Sequence, residues 1–172
     1  LEINSGAVIT NCSGSESGQG SAVNVTGSAG LSMNFGTVSG NVSAGKGAVY
    51  YNGSGAFEIR NRNQISDNTT PSGKKANVYL AQDKYITVMS DLDTSQIGVT
   101  AEQLPLASPG GISSQPGQEV KIAVPSISYP GAAGSCPFAD NFKADQEAGN
   151  SGVYVSAGTE ILGNGRNAVL KR

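Results

Sequence analysis

Four alternating apolar triplets recur along this chain: Leu1-Glu2-Ile3, Leu31-Ser32-Met33, Phe57-Glu58-Ile59 and Ile86-Thr87-Val88, at spacings of 30, 26 and 29 residues. A period of about 20 to 50 residues signals a stacked architecture, because each unit can bury its apolar face only against the next. A second burst follows in each unit: Ala22-Val23-Asn24-Val25, Ala48-Val49-Tyr50-Tyr51 and Asn77-Val78-Tyr79-Leu80. From Val23, Val49 and Val78 to the next opening residue the interval is eight every time, so all length variation falls in one loop per unit. A coil of fixed cross-section with one extensible loop has this signature.

A third shared element lies between the bursts. Ile9-Thr10-Asn11-Cys12, Val38-Ser39-Gly40-Asn41 and Ile65-Ser66-Asp67-Asn68 each put an aliphatic residue three positions before Cys12, Asn41 and Asn68. At the strand spacing of roughly 4.8 Å, stacked coils would let Asn41 and Asn68 form an amide ladder. The alternative is that both are independent turn residues tolerating left-handed φ. The period-two alternation turns Leu1, Ile3, Val23 and Val25 inward and the residues between them outward, which makes the coil a parallel β-helix.

Composition agrees. The 172 residues include 24 Gly, no Trp and no His, with 14% charged. Such a chain risks disorder, but its apolar residues fall in short β-branched or aliphatic bursts between Gly, Ser and Asn turns, a pattern of many short strands. One helix-like stretch, 137–145, opens with a proline. Without histidine there is no histidine-based triad, His-ligated zinc or His-ligated haem. A net charge of −2 and a pI near 5.0 give no electrostatic footprint for nucleic acid or anionic membrane. No apolar run reaches the length of a membrane span, and no secretory signal pattern opens the sequence.

The motifs resemble those of bacterial surface proteins built on right-handed parallel β-helix repeats, adhesin-like or polymorphic outer-membrane-like. Val38-Ser39-Gly40-Asn41 and Lys46-Gly47-Ala48-Val49-Tyr50-Tyr51 follow that pattern closely; Ile65-Ser66-Asp67-Asn68 departs by one residue, and the first coil carries Cys12 in place of Asn. Ile97-Gly98-Val99-Thr100 looks like the end of such an array. Phe142-Lys143-Ala144-Asp145, Gly152-Val153-Tyr154-Val155 and Asn167-Ala168-Val169-Leu170 look like its closing segments. The resemblance implies an all-β, right-handed solenoid, with coils over 1–100 and expanded final coils and a C-terminal cap over 101–172, packed on the same solenoid. Within 101–135 one alternating strand is expected at 119–124. A cap is needed because an open end leaves backbone groups unpaired. Leu1 begins directly on a core triplet, so the chain is expected to be the end of a longer rod or to pair its N-terminal edge with another molecule.

Candidate sites are few. Glu2 and Glu58 occupy equivalent outward positions two coils apart, roughly 10 Å, slightly long for a pair of glycosidase carboxylates; they read as solvated surface charges, and no catalytic residue is expected. Arg60, Arg62, Lys74 and Lys75 do not recur in neighbouring coils and read the same way. Tyr50 and Tyr79 at equivalent outward positions form a short two-ring platform suited to sugars or partner side chains. Asp91 to Glu102 superficially matches a calcium loop but has Gln96 where its glycine belongs, so no metal or cofactor is expected. Sequons stand at Asn11, Asn24, Asn41, Asn52 and Asn68; an internal Asn41 could not carry a glycan. Cys12 and Cys136 lie on the order of 20 Å apart in this register, too far for a disulfide, so both are expected to be unpaired, with Cys12 buried.

The function expected from this reading is a non-enzymatic segment of an extracellular bacterial surface protein, a β-helical stalk or adhesin-like module. Its loops 13–21, 42–47 and 69–76 would present contacts to glycans or other surface proteins. The alternatives are a polysaccharide-binding or polysaccharide-degrading β-helix using the Tyr50 and Tyr79 face, and a fibre subunit that self-associates end to end.

Overall fold

The computed structural model describes residues 1–15, 18–103, 119–129, 136–145, 154–162 and 165–171. They form a parallel β-solenoid. The first coil holds β1 (Glu2–Ile3), β2 (Val8–Ile9), β3 (Ser13–Gly14) and β4 (Val23–Gly27). The second holds β5 (Leu31–Asn34), β6 (Thr37–Ser39), β7 (Val42–Ser43) and β8 (Val49–Gly53). The third holds β9 (Phe57–Arg60), β10 (Gln64–Ser66) and β11 (Val78–Leu80), and the fourth β12 (Ile86–Val88) and β13 (Gln96–Ala101). Then come β14 (Val120–Pro125), β15 (Phe142–Ala144), β16 (Tyr154–Leu162) and β17 (Gly165–Lys171).

The register is the one the repeat predicts. Glu2, Ser32, Glu58, Thr87 and Val124 are partners in successive parallel rungs. Val23, Val49, Val78 and Val99 stack in a second column; Ile9, Val38, Ile65, Ile97 and Phe142 stack in a third. Inward positions such as Met33, Val38, Val49, Ile59, Ile65 and Ile86 have no exposure at all, and full burial of an aliphatic side chain this size stabilises by about 1.5–3 kcal/mol. The corner after the third column turns on one left-handed residue in each of the first three coils, Asn11, Gly40 and Asp67, at φ 58°, 66° and 58°. These are the residue types that tolerate that conformation.

The fourth coil differs. β13 pairs with both β10 and β11, so the variable loop that separates those strands in the third coil is replaced by Gly98 alone. Expansion comes instead at the corner after Ala101, where the earlier coils keep a constant interval. The chain returns at β14, which stacks parallel on β12 as the next rung.

Four expectations are corrected. Leu1 is 65% exposed, whereas its column partners Leu31 and Phe57 are 1% exposed; it stands on the outermost rung with neighbours on one side only. The stretch 137–145 is not a two-turn helix: Ala139–Asn141 makes a single 3-10 turn, and Phe142 to Ala144 continue as β15, because pairing with β13 buries Phe142. Of the closing segments, Phe142 to Ala144 is a parallel rung, but 167–170 runs antiparallel to β14 within β17, whose other neighbour, β16, is also antiparallel. Gly152 and Val153 lie outside the described residues. Cys12 is only partly buried, for it too lies on the first coil; it and Cys136 are unpaired.

Candidate functional site

Asn41 and Asn68 are 1% and 0% exposed and form the predicted ladder. Asn68 Oδ1 accepts both the Asn41 N–H at 3.0 Å and the Asn41 Nδ2 at 2.8 Å. Below them, Asn41 Oδ1 accepts the Cys12 N–H at 2.9 Å. Above them, Asn77 Oδ1 accepts the Asn68 N–H at 3.1 Å and Nδ2 at 2.9 Å. Asp145 stands next on the column, its two oxygens taking the N–H and Nδ2 of Asn77. Each buried donor on the column thus has an acceptor, which matters because an orphaned one costs about 1–3 kcal/mol. The sequons at Asn41 and Asn68 are sealed in this column, while Asn11, Asn24 and Asn52 are exposed.

Asn77 and Asp145 escape the repeat pattern because the loop is missing from the fourth coil. With only Gly98 at that corner, no fourth-coil residue can sit above Asn68. Asn77 fills the slot from the end of loop 69–76, and Asp145 covers it from the end of β15. A second polar column, Gly36, Asn63 and Ser95, also stands two residues before the third aliphatic column. Asn63 Oδ1 accepts the Gly36 N–H at 3.1 Å, and the Asn63 N–H donates to Ser95 Oγ at 2.8 Å. That fixed offset was present in the sequence.

Tyr50 and Tyr79 are partners on adjacent rungs, with ring centroids 6.0 Å apart and planes at 53°. They meet as predicted but do not make a flat platform. Lys46 Nζ lies 4.3 Å from the Tyr79 ring centroid, donates to its hydroxyl at 3.1 Å and pairs with Glu102 at 3.3 Å. The Tyr79 hydroxyl, followed by Glu102, holds the Lys46 ammonium above its ordinary pKa. The Gln82 N–H, followed by Lys46, lowers that of Glu102.

Protein-family models, curated proteins and solved structures give no match to this chain.

The remaining candidates do not converge. Glu2 and Glu58 stand two rungs apart with Ser32 between them, as expected. Glu58 pairs with Arg60 at 3.6 Å. Arg62 borders a cleft beside Phe35 and Asp93, while Lys75 borders others beside Lys143, so the basic residues do not share one surface. Asp91 and Glu102 flank opposite ends of β13: Asp91 accepts the Tyr129 hydroxyl at 3.0 Å, and Glu102 the Gln82 N–H at 3.0 Å. Among the described residues no group of three or more His, Cys, Asp or Glu stands close enough to hold a metal ion, and no helix is long and apolar enough to cross a membrane. Burial, then the Asp91 contact, pushes the Tyr129 hydroxyl up to about 12, and burial pushes the Cys136 thiol up to about 11.

Proposed function

We propose that this chain is a non-enzymatic segment of an extracellular bacterial surface protein, serving as a β-helical stalk or adhesin-like module. The observation that supports this most is the continuous internal column from Cys12 through Asn41, Asn68 and Asn77 to Asp145. Such a column ties successive coils by side chains as well as backbone, so neighbouring coils resist separation along the axis. The outward columns suit display: Glu2, Ser32, Glu58 and Thr87 vary in chemistry from rung to rung.

Localisation tests this reading. Antibody raised against the chain should detect it on intact, unpermeabilised producing cells or in their secreted fraction. Signal found only after permeabilisation, in the cytosolic fraction, would remove it.

A second reading, glycan contact through Tyr50 and Tyr79, is favoured by the adjacency of the two rings and weakened by the ammonium of Lys46 beside one of them. Binding lost in the Tyr50→Ala, Tyr79→Ala double variant would support it, and an unchanged isotherm would remove it.

A further inference from the structure

Tyr85 stands apart from its column. The residues at the same offset before the opening triplet are Gly30 in the second coil and Ala56 in the third, and in the fourth the position holds an aromatic ring that is 42% exposed. On the two rungs below, the ring has only a methyl group and a glycine at this position, and on the rung above the corresponding residue is the fully buried Ile122. Gly30 cannot be larger, since a Cβ there would lie 2.7 Å from the Ala56 carbonyl oxygen.

Two clefts meet at this ring. One, of about 320 Å³, runs from Tyr85 down to the 53–57 turn; the other, of about 350 Å³, runs up to Glu119 and Lys121. Asp83, Lys84 and Tyr85 border both. Each volume lies at the low end of the range for small-molecule sites, about 300–1,000 Å³. Lys121 Nζ is 5.6 Å from the ring centroid and borders only the upper cleft, so the cation contact holds the ring without closing the lower cleft. Asp83 is kept at φ 60°, and among the described residues neither its carboxylate nor the Lys84 ammonium makes a hydrogen bond or ion pair.

We infer that the Tyr85 corner is a glycan-binding site, taking an uncharged oligosaccharide laid along the solenoid axis with one pyranose ring stacked on Tyr85. The chemistry matches in three respects. An exposed aromatic face takes the apolar C–H face of a sugar. The Asp83 carboxylate and the Lys84 ammonium, which line both clefts with the ring, supply an acceptor and a donor for hydroxyl groups, which both donate and accept. Their charges cancel, as do those of Glu119 and Lys121 above, so the site has no net attraction for a polyanion. The axial strand spacing of about 4.8 Å is also close to the rise of one residue in an extended glycan. This inference does not depend on the stalk reading, since a free-standing glycan binder would carry the same site.

Isothermal titration with maltohexaose, cellohexaose and mannohexaose, with hexagalacturonate as the charged comparator, tests it. At least one neutral hexaose should bind below about 5 mM and more tightly than hexagalacturonate. Tyr85→Ala should weaken that binding by about fivefold or more, Tyr85→Phe should retain it, and the Tyr50→Ala, Tyr79→Ala double variant should leave it unchanged. Because Tyr85 is exposed, its variants should keep the wild-type β-sheet circular dichroism. No binding by any neutral hexaose, preference for hexagalacturonate, or binding that survives Tyr85→Ala would overturn the assignment.

Discussion

Asn77 and Asp145, 68 positions apart in the chain, are joined by two hydrogen bonds of 2.8 Å, the Asn77 N–H to Asp145 Oδ2 and the Asn77 Nδ2 to Asp145 Oδ1. Asp145 is 4% exposed. This contact fastens the end of β15 to the coils and carries the internal column on from Asn77. Asp145→Ala would orphan two buried donors and should destabilise the fold by about 2–4 kcal/mol. Asp145→Asn, which keeps one acceptor, should recover part of that loss. Urea unfolding of the three proteins checks both.

Cys12 occupies the first rung of the same column, where its backbone N–H reaches Asn41 Oδ1 but its thiol does not. An asparagine there would repeat the contact that Asn41 makes to Asn68. Cys12→Asn should therefore stabilise the protein by about 0.5–1 kcal/mol, seen as a higher urea midpoint with unchanged slope. A lower midpoint would show that the ladder does not extend to the first coil.

Gly98 is the whole of the fourth-coil corner, and a Cβ on it would collide with Asn77 Nδ2 and Asp145 Oδ1. Gly98→Ala should cost about 3 kcal/mol or more by forcing that network apart. Gly73, at φ 81° with nothing within 4 Å of a Cβ, is the control: Gly73→Ala should cost only the backbone strain of about 1–2 kcal/mol.

The Cys136 thiol is pushed up to about 11, chiefly by burial. At pH 8 its alkylation by iodoacetamide should be about a hundredfold slower than in the urea-unfolded chain, because only the thiolate reacts. Since the folded value is the higher one, this group's contribution to stability is complete below the unfolded thiol pKa of about 8.5. It is lost as pH rises towards about 11. Rates that match in the folded and unfolded chain would place Cys136 in open solvent.

The sequence and the structure agree where spacing alone decides. The triplets at Leu31, Phe57 and Ile86 and the valines at 23, 49 and 78 stack as their intervals require, and Asn41 meets Asn68 because each follows its aliphatic residue by three. Agreement fails where a partner comes from outside the period. Asn77 lies nine residues from Asn68 instead of a full coil, and Asp145 follows a strand whose rung cannot be counted from the repeat. Phe142 opens β15 despite the helix-like stretch around it, because burial against Ile97 outweighs local propensity. Tyr50 and Tyr79 were legible as neighbours, but Lys46, 33 positions before Tyr79, was not. The Tyr85 corner was hidden because its upper cleft is completed by Glu119 and Lys121, which lie outside the repeat.

Axial stacking in this register is the claim on which the ladder and the clefts both depend, and engineered disulfides test it most directly. In a Cys12→Ser, Cys136→Ser background, Ser32→Cys with Glu58→Cys places two cysteines on partnered positions of adjacent rungs, about 4.8 Å apart and within the Cα range a disulfide spans. Glu2→Cys with Glu58→Cys places them two rungs apart, at about 10 Å. Oxidation should close the first pair and leave the second as free thiols, read by mass spectrometry of the digested protein. Closure of the second pair, or failure of the first in a folded protein, would contradict the stacked register.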